Sequence, residues 1–335
     1  MWRNIHSDLE CNVFCGCYGG DNTVFHALAQ ARSGVNLAKH HSIKSPDERT
    51  PEELSRLIDN IPRKHWEEIT TFDPLGLTAK RPTIAAVNAK LALSCMPEIT
   101  HEYDIPVLKV AIEQAWHING VSEKCNTSSE GFRKTLDEFG IKNALTRRTL
   151  LPAVGGISLF IFGSVDRLLD PNTKVAVRPH DACLNSDCFR GTICTCAPYL
   201  MFAIDECKKL ADEGGVGIIA YFRKEGRALG EVTKFRVYGA RENQAGGDTP
   251  EKYFSQTECI AGIRDARHQE LMPDVFKWLG ITKIDKLLSM SNEKYDAIID
   301  ANIQVVERID LPDEFVPKDA TVELTAKVMS GYHKT

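Results

Sequence analysis

No stretch of the 335-residue chain approaches the ~20 consecutive apolar residues that a membrane-spanning helix needs. The first residues include Asp8 and Glu10, and they lack the charged-then-apolar pattern of a secretory signal. We therefore expect a cytoplasmic protein that has no membrane partner.

The chain also lacks an excess of positive charge, since it carries 41 Lys and Arg against 46 Asp and Glu, a formal net charge of -5. This balance argues against a partner that is a nucleic-acid polymer, so a local cluster of cations must hold any anionic substrate. There is no internal repeat and no low-complexity segment. The length exceeds what one hydrophobic core usually supports. We therefore expect two domains, 1–150 and 151–335.

The two parts differ in their residue patterns. The first part is predicted to be mostly helical, with helices over 52–61, 107–117 and 128–139, a polar loop over 42–50 and an unknown role. From about Leu150, strands are predicted over 156–163, 175–178, 216–222, 284–289 and 303–308. Helices are predicted over 200–213, 228–243 and 268–279, the last with a possible kink at Pro273. Residues 318–335 are predicted to form a helical or loose tail. Alternating strands and helices indicate an α/β or α+β fold.

Eleven cysteines in a reducing compartment point to metal binding or catalysis rather than to disulfides. Cys183, Cys194 and Cys196 have the spacing C-x10-C-x-C. Three protein ligands leave one tetrahedral position open, as in a catalytic zinc site, where zinc activates water near neutral pH. Two alternatives stay open: Cys188 closes the site as a fourth ligand, or the cysteines are buried free thiols.

A second cluster, Cys11, Cys15 and Cys17, has a similar spacing without a supporting motif. We interpret these residues as partly exposed thiols on a glycine-rich turn.

Several polar segments are suited to a nucleotide. Glu225-Gly226-Arg227 follows a predicted strand, where Gly226 admits a close ligand, Arg227 suits phosphate and Glu225 can accept from a ring N–H. Thr249 in a glycine-rich turn, and Ser289 with Lys294 after a strand, are further phosphate or ribose contacts. Each segment, taken alone, is equally well a polar loop.

Residues 264–268 are predicted to open a helix, with Asp265 as its N-cap. Asp265 and Arg267 would diverge on a regular helix unless one of them lies in the preceding loop.

In order and spacing, these segments resemble GTP cyclohydrolase II from about Val175 to about Lys327. The matching pieces are Arg178-Pro-His-Asp-Ala-Cys183, Cys194-Thr-Cys196, Glu225-Gly-Arg227, Lys234-Phe-Arg-Val-Tyr238, Asp248-Thr249, Asp265-Ala-Arg267, Phe276-Lys-Trp-Leu-Gly280 and Val305-Val-Glu-Arg308. The resemblance implies an α+β fold, a mixed sheet flanked by helices, and usually a homodimer.

The resemblance also implies roles for individual residues. It makes Cys183, Cys194 and Cys196 zinc ligands, Asp265 the proton-handling group, Arg267 a group acting at the α-phosphate and Tyr238 an assistant in ring opening. It implies nucleotide contacts for Arg178, His180, Asp181, Tyr199, Glu225, Gly226, Arg227, Thr249, Ser289 and Lys294.

The sequence departs from the family pattern around the base. His-Ser-Glu becomes His180-Asp181-Ala182, the glycine and glutamine after the third cysteine become Ala197 and Tyr199, and Thr-Asn-Asn becomes Ser289-Met290-Ser291. A pocket built to hydrogen-bond one base discriminates against another. The departures resemble a branch linked to uracil catabolism, whose strings match 193–196, 221–235 and 289–298.

The leading hypothesis is therefore a zinc-dependent cyclohydrolase that opens the ring of UMP, UDP or UTP. One alternative is GTP cyclohydrolase II itself, which releases formate and pyrophosphate toward flavin synthesis. The other is a zinc- and nucleotide-binding protein without turnover, for which Ala182 in place of a carboxylate is the main support.

Overall fold

The computed structural model describes residues 23–34, 50–76, 83–91, 105–139, 141, 148–150 and 156–335. The chain packs into two compact units, which interleave along the sequence. Unit 1 holds the described residues of 1–49, 63–85 and 111–156, and unit 2 holds those of 50–62, 86–110 and 157–335. None of the described helices combines the length and the apolarity that a bilayer crossing requires.

The larger sheet has seven strands among the described residues, in the order β1-β2-β5-β7-β6-β8-β9. These strands are β1 (Ile84–Leu91), β2 (Ile105–Ile112), β5 (Ile157–Phe162), β6 (Val175–Asp181), β7 (Val216–Phe222), β8 (Lys283–Leu287) and β9 (Gln304–Arg308). Two short strands, β3 (Trp116–His117) and β4 (Thr149–Leu150), pair antiparallel in unit 1.

The strand directions determine where the site forms. β5 is antiparallel to β7, whereas β6 is parallel to both β7 and β8, and β8 is parallel to β9. The carboxyl ends of β6, β7 and β8 therefore meet at one edge, the usual ligand position in parallel sheets. The segments that leave this edge are 182–183, 223–227 and 288–294.

Helices and 3₁₀ turns connect and cover the strands. The α-helices are α1 (Thr23–Ser33), α2 (Glu52–Asn60), α3 (Ile118–Lys124), α4 (Ser129–Glu138), α5 (Leu184–Phe189), α6 (Cys196–Asp212), α7 (Glu231–Glu242), α8 (Tyr253–Ala261), α9 (Asp274–Trp278), α10 (Asn292–Asp300) and α11 (Thr321–Met329). The 3₁₀ turns cover Arg63–Trp66, Val165–Leu169, Pro250–Lys252, Gln269–Leu271, Asp313–Phe315 and Lys318–Ala320.

The centre of the sheet is buried on both faces, so β5 and β7 are nearly continuous apolar runs, whereas the equally buried β6 is apolar in its first half and carries Arg178, His180 and Asp181 toward its carboxyl end. α6 packs closely on this centre. A Cβ at Gly217 of β7 would lie 2.4 Å from the Cβ of Cys207, so a glycine is required where strand and helix meet.

The predicted fold class is confirmed, since a mixed sheet is flanked by helices. Helices predicted over 52–61 and 128–139 are present as α2 and α4, and Ser128 caps α4 by accepting from the Gly131 N–H. The strands predicted from residue 156 onward and the helices predicted over 200–213 and 228–243 are present, and the tail contains α11. Residues 42–49 and Cys11, Cys15 and Cys17 lie outside the described residues. The division at residue 150 stays a prediction.

Three predicted elements were wrong. Residues 107–117, predicted as a helix, mostly form β2, whose buried and exposed residues largely alternate. The helix predicted over 268–279 is a 3₁₀ turn followed by α9, because Pro273 has no N–H and interrupts the helix. The helix expected to open at 264–268 is a loop, in which the Asp265 carboxylate binds arginine side chains instead of capping a helix.

Candidate active site

Three cysteine thiols converge at the carboxyl end of β6. The Sγ atoms of Cys183, Cys194 and Cys196 all lie within 4.8 Å of one another, and Cys183 and Cys194 Sγ are 3.6 Å apart. The hydrogen bond with Cys183, partly offset by one with Cys196, acts with burial to raise the pKa of Cys194 to about 12. Three sulfur donors in this arrangement suit a thiophilic metal, whose charge would keep the thiolates ionised. Cys188 is exposed and lies outside this group.

A buried carboxylate fixes the first of these cysteines. Asp187 on α5 accepts from the Cys183 N–H at 3.0 Å and from the Tyr221 hydroxyl at 2.9 Å. Its Oδ2 also lies 3.0 Å from Nε2 of His180, which is 1% exposed. The Asp187 carboxylate therefore connects the strand ends of β6 and β7 to the cysteine loop.

A lysine neutralises part of the sulfur cluster. Lys234 Nζ on α7 lies 2.8 Å from Cys183 Sγ and 2.8 Å from Glu225 Oε1. The other oxygen of Glu225 accepts from the Leu184 N–H at 2.9 Å. The neighbouring Gly226 has φ +70, a conformation that favours glycine, and a Cβ there would lie 3.4 Å from Lys234. The turn after β7 thus holds the lysine beside the thiols.

In a second part of the pocket lining, three cations surround Asp181. Its Oδ2 is 2.8 Å from Arg267 Nη1 and 3.0 Å from Lys294 Nζ, and its Oδ1 is 3.7 Å from Lys224 Nζ. Gln269 also donates to Oδ2 at 2.8 Å. Burial opposes ionisation, but Lys294, Arg267 and Lys224 hold the pKa of Asp181 well below its usual range. Desolvation lowers the pKa of Lys294 to about 8.

Asp265 and Arg267 meet because both lie in a loop. The guanidinium of Arg267 forms several hydrogen bonds to the Asp265 carboxylate, and Asp265 Oδ1 also accepts from the Arg267 backbone N–H at 3.0 Å. Arg227 donates to Asp265 at 2.8 Å. Burial opposes ionisation, but Arg267 and Arg227 together lower the pKa of Asp265. The site therefore presents an ionised carboxylate beside two arginines.

One wall of the pocket carries Tyr199 and Met290, two of the residues that depart from the family pattern. The guanidinium of Arg178 lies 3.8 Å from the centre of the Tyr199 ring and donates to the Leu288 carbonyl at 2.8 Å. Tyr199 donates to the Ile309 carbonyl, so its hydroxyl is held away from other partners. Met290 lies on the same pocket and is buried. This wall offers an aromatic and a thioether surface.

One pocket brings most of the predicted site residues together. Its lining includes Arg178, His180, Asp181, the three cysteines, Tyr199, Gly226, Arg227, Tyr238, Arg267, Ser289 and Lys294. Asp265 and Glu225 lie behind the lining and contact it through Arg227, Arg267 and Lys234. Thr249 lies outside the lining, at the start of a 3₁₀ turn. The roles assigned to these residues stay predictions.

Several residues that complete the site have no recognisable signal in the sequence. Asp187 and Tyr221 carried no signal, because a polar residue in a loop and a tyrosine in a strand are both common. Lys234 lies in the segment Lys234–Tyr238 that matches the family, but no role was assigned to it. Glu323, Lys327 and Tyr332 line the pocket from the C-terminal helix and the residues after it. Contacts between residues that are far apart in sequence leave no local pattern in the sequence.

Comparison with known proteins identifies the relatives of the chain. The family model described as GTP cyclohydrolase II matches residues 155–310. A Lachancea kluyveri protein named "Putative GTP cyclohydrolase URC1" is 43% identical, over 95% of this chain and 78% of its own length. "Uracil-regulated protein 1" of Schizosaccharomyces pombe is 39% identical over the same shares. The GTP cyclohydrolase-2 of Neisseria gonorrhoeae is 36% identical over 41% of this chain and 64% of its own length.

Proposed function

Because the chain belongs to the GTP cyclohydrolase II family, we propose that it is a zinc-dependent cyclohydrolase that opens the pyrimidine ring of UMP, UDP or UTP. Membership of this family makes the chain a hydrolase of C–N bonds in cyclic amidines, and it has relatives in uracil-related metabolism. The observation that carries the proposal is the cysteine trio in one pocket with the altered wall of Tyr199 and Met290.

Cys183, Cys194 and Cys196 would hold the zinc ion. When bound, zinc lowers the pKa of a coordinated water and so supplies a nucleophile near neutral pH. Lys234 reduces the negative charge of the sulfur cluster, and Asp187 holds the Cys183 backbone in position. These contacts support a preorganised ligand set.

The phosphate end of the nucleotide would lie at the cations. Four cationic side chains, Lys224, Arg227, Arg267 and Lys294, contact two largely buried carboxylates, Asp181 and Asp265, and Arg178 lines the same pocket. This local excess of positive charge persists although the whole chain is acidic. An anionic phosphate is a suitable partner for such a cluster.

Two groups are suited to moving protons. Ring opening requires water to add to a ring carbon, the C–N bond to break and the departing nitrogen to gain a proton. Asp265, ionised beside Arg267 and Arg227, can accept a proton. Burial, and then the negative charge of Glu323, raise the pKa of Tyr238, so its hydroxyl stays protonated and can donate a hydrogen bond.

The base would lie along Tyr199 and Met290. Neither side chain offers a free hydrogen-bond donor to a guanine edge, because the Met290 thioether has none and the Tyr199 hydroxyl already donates to the Ile309 carbonyl. A smaller pyrimidine requires fewer such contacts. This supports a uracil base over guanine.

The test is to incubate zinc-loaded protein separately with UMP, UDP, UTP and GTP and to follow the ultraviolet absorbance of each base. Ring opening removes the conjugation of uracil, so we expect its absorbance to fall with at least one uracil nucleotide and to stay constant with GTP. A change with GTP alone would identify GTP cyclohydrolase II instead. Stable binding of nucleotide with no change in any sample would establish a non-catalytic binding protein.

A further inference from the structure

The C-terminal helix α11 supplies a wall of the pocket. Glu323 and Lys327 on this helix, and Tyr332 after it, line the same pocket as the cysteine trio. All three residues lie beyond the segment 155–310 that the family model matches. This wall is therefore a feature of the chain that the family segment does not account for.

The two carboxylate oxygens of Glu323 differ in their contacts. Its side chain is 6% exposed, and Oε1 pairs with Lys327 one turn further along α11. Oε2 is buried and has no hydrogen-bond partner within the described part of the chain. A buried acceptor without a partner costs free energy, and in a ligand pocket the missing partner is commonly a group of the ligand.

The carboxylate is held in a fixed position relative to the cysteines. Lys327 Nζ bonds Glu323 and lies 3.4 Å from Oγ1 of Thr195, the residue between Cys194 and Cys196. The charge of Glu323 also raises the pKa of Tyr238 and of Cys194, after larger causes in each case. The carboxylate is therefore linked through Lys327 to the loop that carries Cys194 and Cys196, and it lines the same pocket as these cysteines.

Other carboxylates of the pocket do not offer the same free acceptor. Both oxygens of Glu225 and both oxygens of Asp265 accept hydrogen bonds. Asp181 Oδ1 has no hydrogen-bond partner, but it lies 3.7 Å from Lys224 Nζ among three cations, which suits the phosphate end. Glu323 is the carboxylate suited to a neutral N–H donor.

We propose that Glu323 binds the substrate base by accepting its ring N–H, with Lys327 as the residue that positions the carboxylate. The inference rests on the proposed function, since a uracil nucleotide has one ring N–H, at N3, between two carbonyl groups. Lys327 and Tyr238 provide donors for the flanking carbonyl oxygens. The recognised group is therefore the carbonyl–NH–carbonyl edge of a pyrimidine.

The test compares UMP with UMP methylated at N3, using the zinc-loaded full chain. We expect the wild-type protein to reject the methylated nucleotide by roughly 100-fold or more in kcat/KM, because the acceptor loses its donor. In Glu323→Gln, Lys327 would hold the amide oxygen, and the amide NH₂ would face the ring N–H. We expect kcat/KM for UMP to fall roughly 10–100-fold, mainly through KM, and discrimination against the methylated nucleotide to shrink toward tenfold or less.

Glu314→Gln is the matched control, since Glu314 is exposed on a neighbouring turn and should behave as wild type. Zinc content and melting temperature are measured for both variants. If Glu323→Gln fails to fold, the wild-type comparison still decides, because acceptance of the methylated nucleotide within about twofold of UMP overturns the assignment. Unchanged discrimination in a folded Glu323→Gln protein also overturns it, while the proposed function stands. No activity on any uracil nucleotide overturns both.

Discussion

The pocket contains two clusters with opposite electrostatic problems. In the thiol cluster, three thiols crowd together with a single lysine, Lys234, in contact with Cys183. In the cation cluster, Lys224, Arg267 and Lys294 crowd around the carboxylate of Asp181. The thiol cluster gathers negative charge once its ligands ionise, and the cation cluster gathers positive charge. The anionic phosphate of a nucleotide is therefore favoured at the cation cluster.

The two clusters also differ in what they need from outside the chain. Without a metal ion, mutual hydrogen bonding and burial keep the thiols protonated, with the pKa of Cys194 at about 12. Metal binding must therefore displace protons. The cation cluster already contains its own counter-charge in Asp181. We therefore expect loss of a group to affect metal content at the thiol cluster and folding stability at the cation cluster.

The largest effect is expected from Cys183→Ser. Removing one of three thiolate ligands should abolish stable zinc binding and, with it, ring opening. Metal analysis after dialysis and the absorbance assay measure the two losses. Cys188→Ser is the control, since Cys188 is exposed and outside the cluster, and it should keep both properties. Retention of a full zinc equivalent by Cys183→Ser would refute the ligand assignment.

Asp181→Asn should destabilise the protein, because Lys224 and Lys294 lose the carboxylate beside them and Arg267 loses one of its two close carboxylate partners. We expect the free energy of unfolding at neutral pH to fall by roughly 3–5 kcal/mol, measured by urea denaturation. Asp212→Asn removes an exposed pair with Lys208, 61% exposed on the aspartate side, and should cost at most about 1 kcal/mol. Equal stability of the two variants would contradict the role of Asp181 as the counter-charge.

The pKa of Asp181 determines how the stability difference between wild type and Asp181→Asn changes with pH. The pKa of Asp181 is depressed in the folded protein. Its stabilising contribution is therefore fully present above the unfolded value of about 3.9 and is lost as the pH falls further through the folded pKa. The gap between wild type and Asp181→Asn should persist at pH 5 and narrow only in stronger acid.

A smaller effect is expected from Asp187→Asn, which alters the support of Cys183 and leaves the ligand itself in place. We expect zinc affinity to weaken roughly 10–100-fold, measured by competition with a chelator. Tyr221→Phe removes one donor to Asp187 and should have a smaller effect of the same kind. An unchanged zinc affinity in Asp187→Asn would show that the cysteine loop holds its shape without this carboxylate.

The strands from residue 156 onward and the cysteine trio could be predicted because both have local signals, whereas β1 and β2 were not predicted as strands. Buried strands such as Val216–Phe222 are short apolar runs, and C-x10-C-x-C is a spacing that a loop after a strand can bring together. The helix predicted over 107–117 was wrong because apolar residues in a short run fit both a helical and an alternating pattern. Pairing within the sheet, which the sequence does not display, decides between them.

The meeting of Asp265 and Arg267 depended on whether residues 264–268 form a helix or a loop, and the local pattern favoured the helix. The loop is stabilised by the ion pair of Asp265 with Arg227 and by that of Arg267 with Asp181, which join residues far apart in sequence. Glu323 was missed for a similar reason. Its position is determined by the packing of α11 against the cysteine loop, including the hydrogen bond between Lys327 and Thr195.

The walls of the pocket come from segments that are synthesised at different times, and this order affects how the pocket assembles. The cysteine loop and β7 are synthesised well before α11, so a growing chain can fold the thiol cluster while the wall of Glu323 and Lys327 is still missing. In that interval the thiols lie in a more open cleft, which gives a metal ion freer access than the finished pocket does. Metal loading during synthesis and metal exchange in the mature protein would then proceed at different rates.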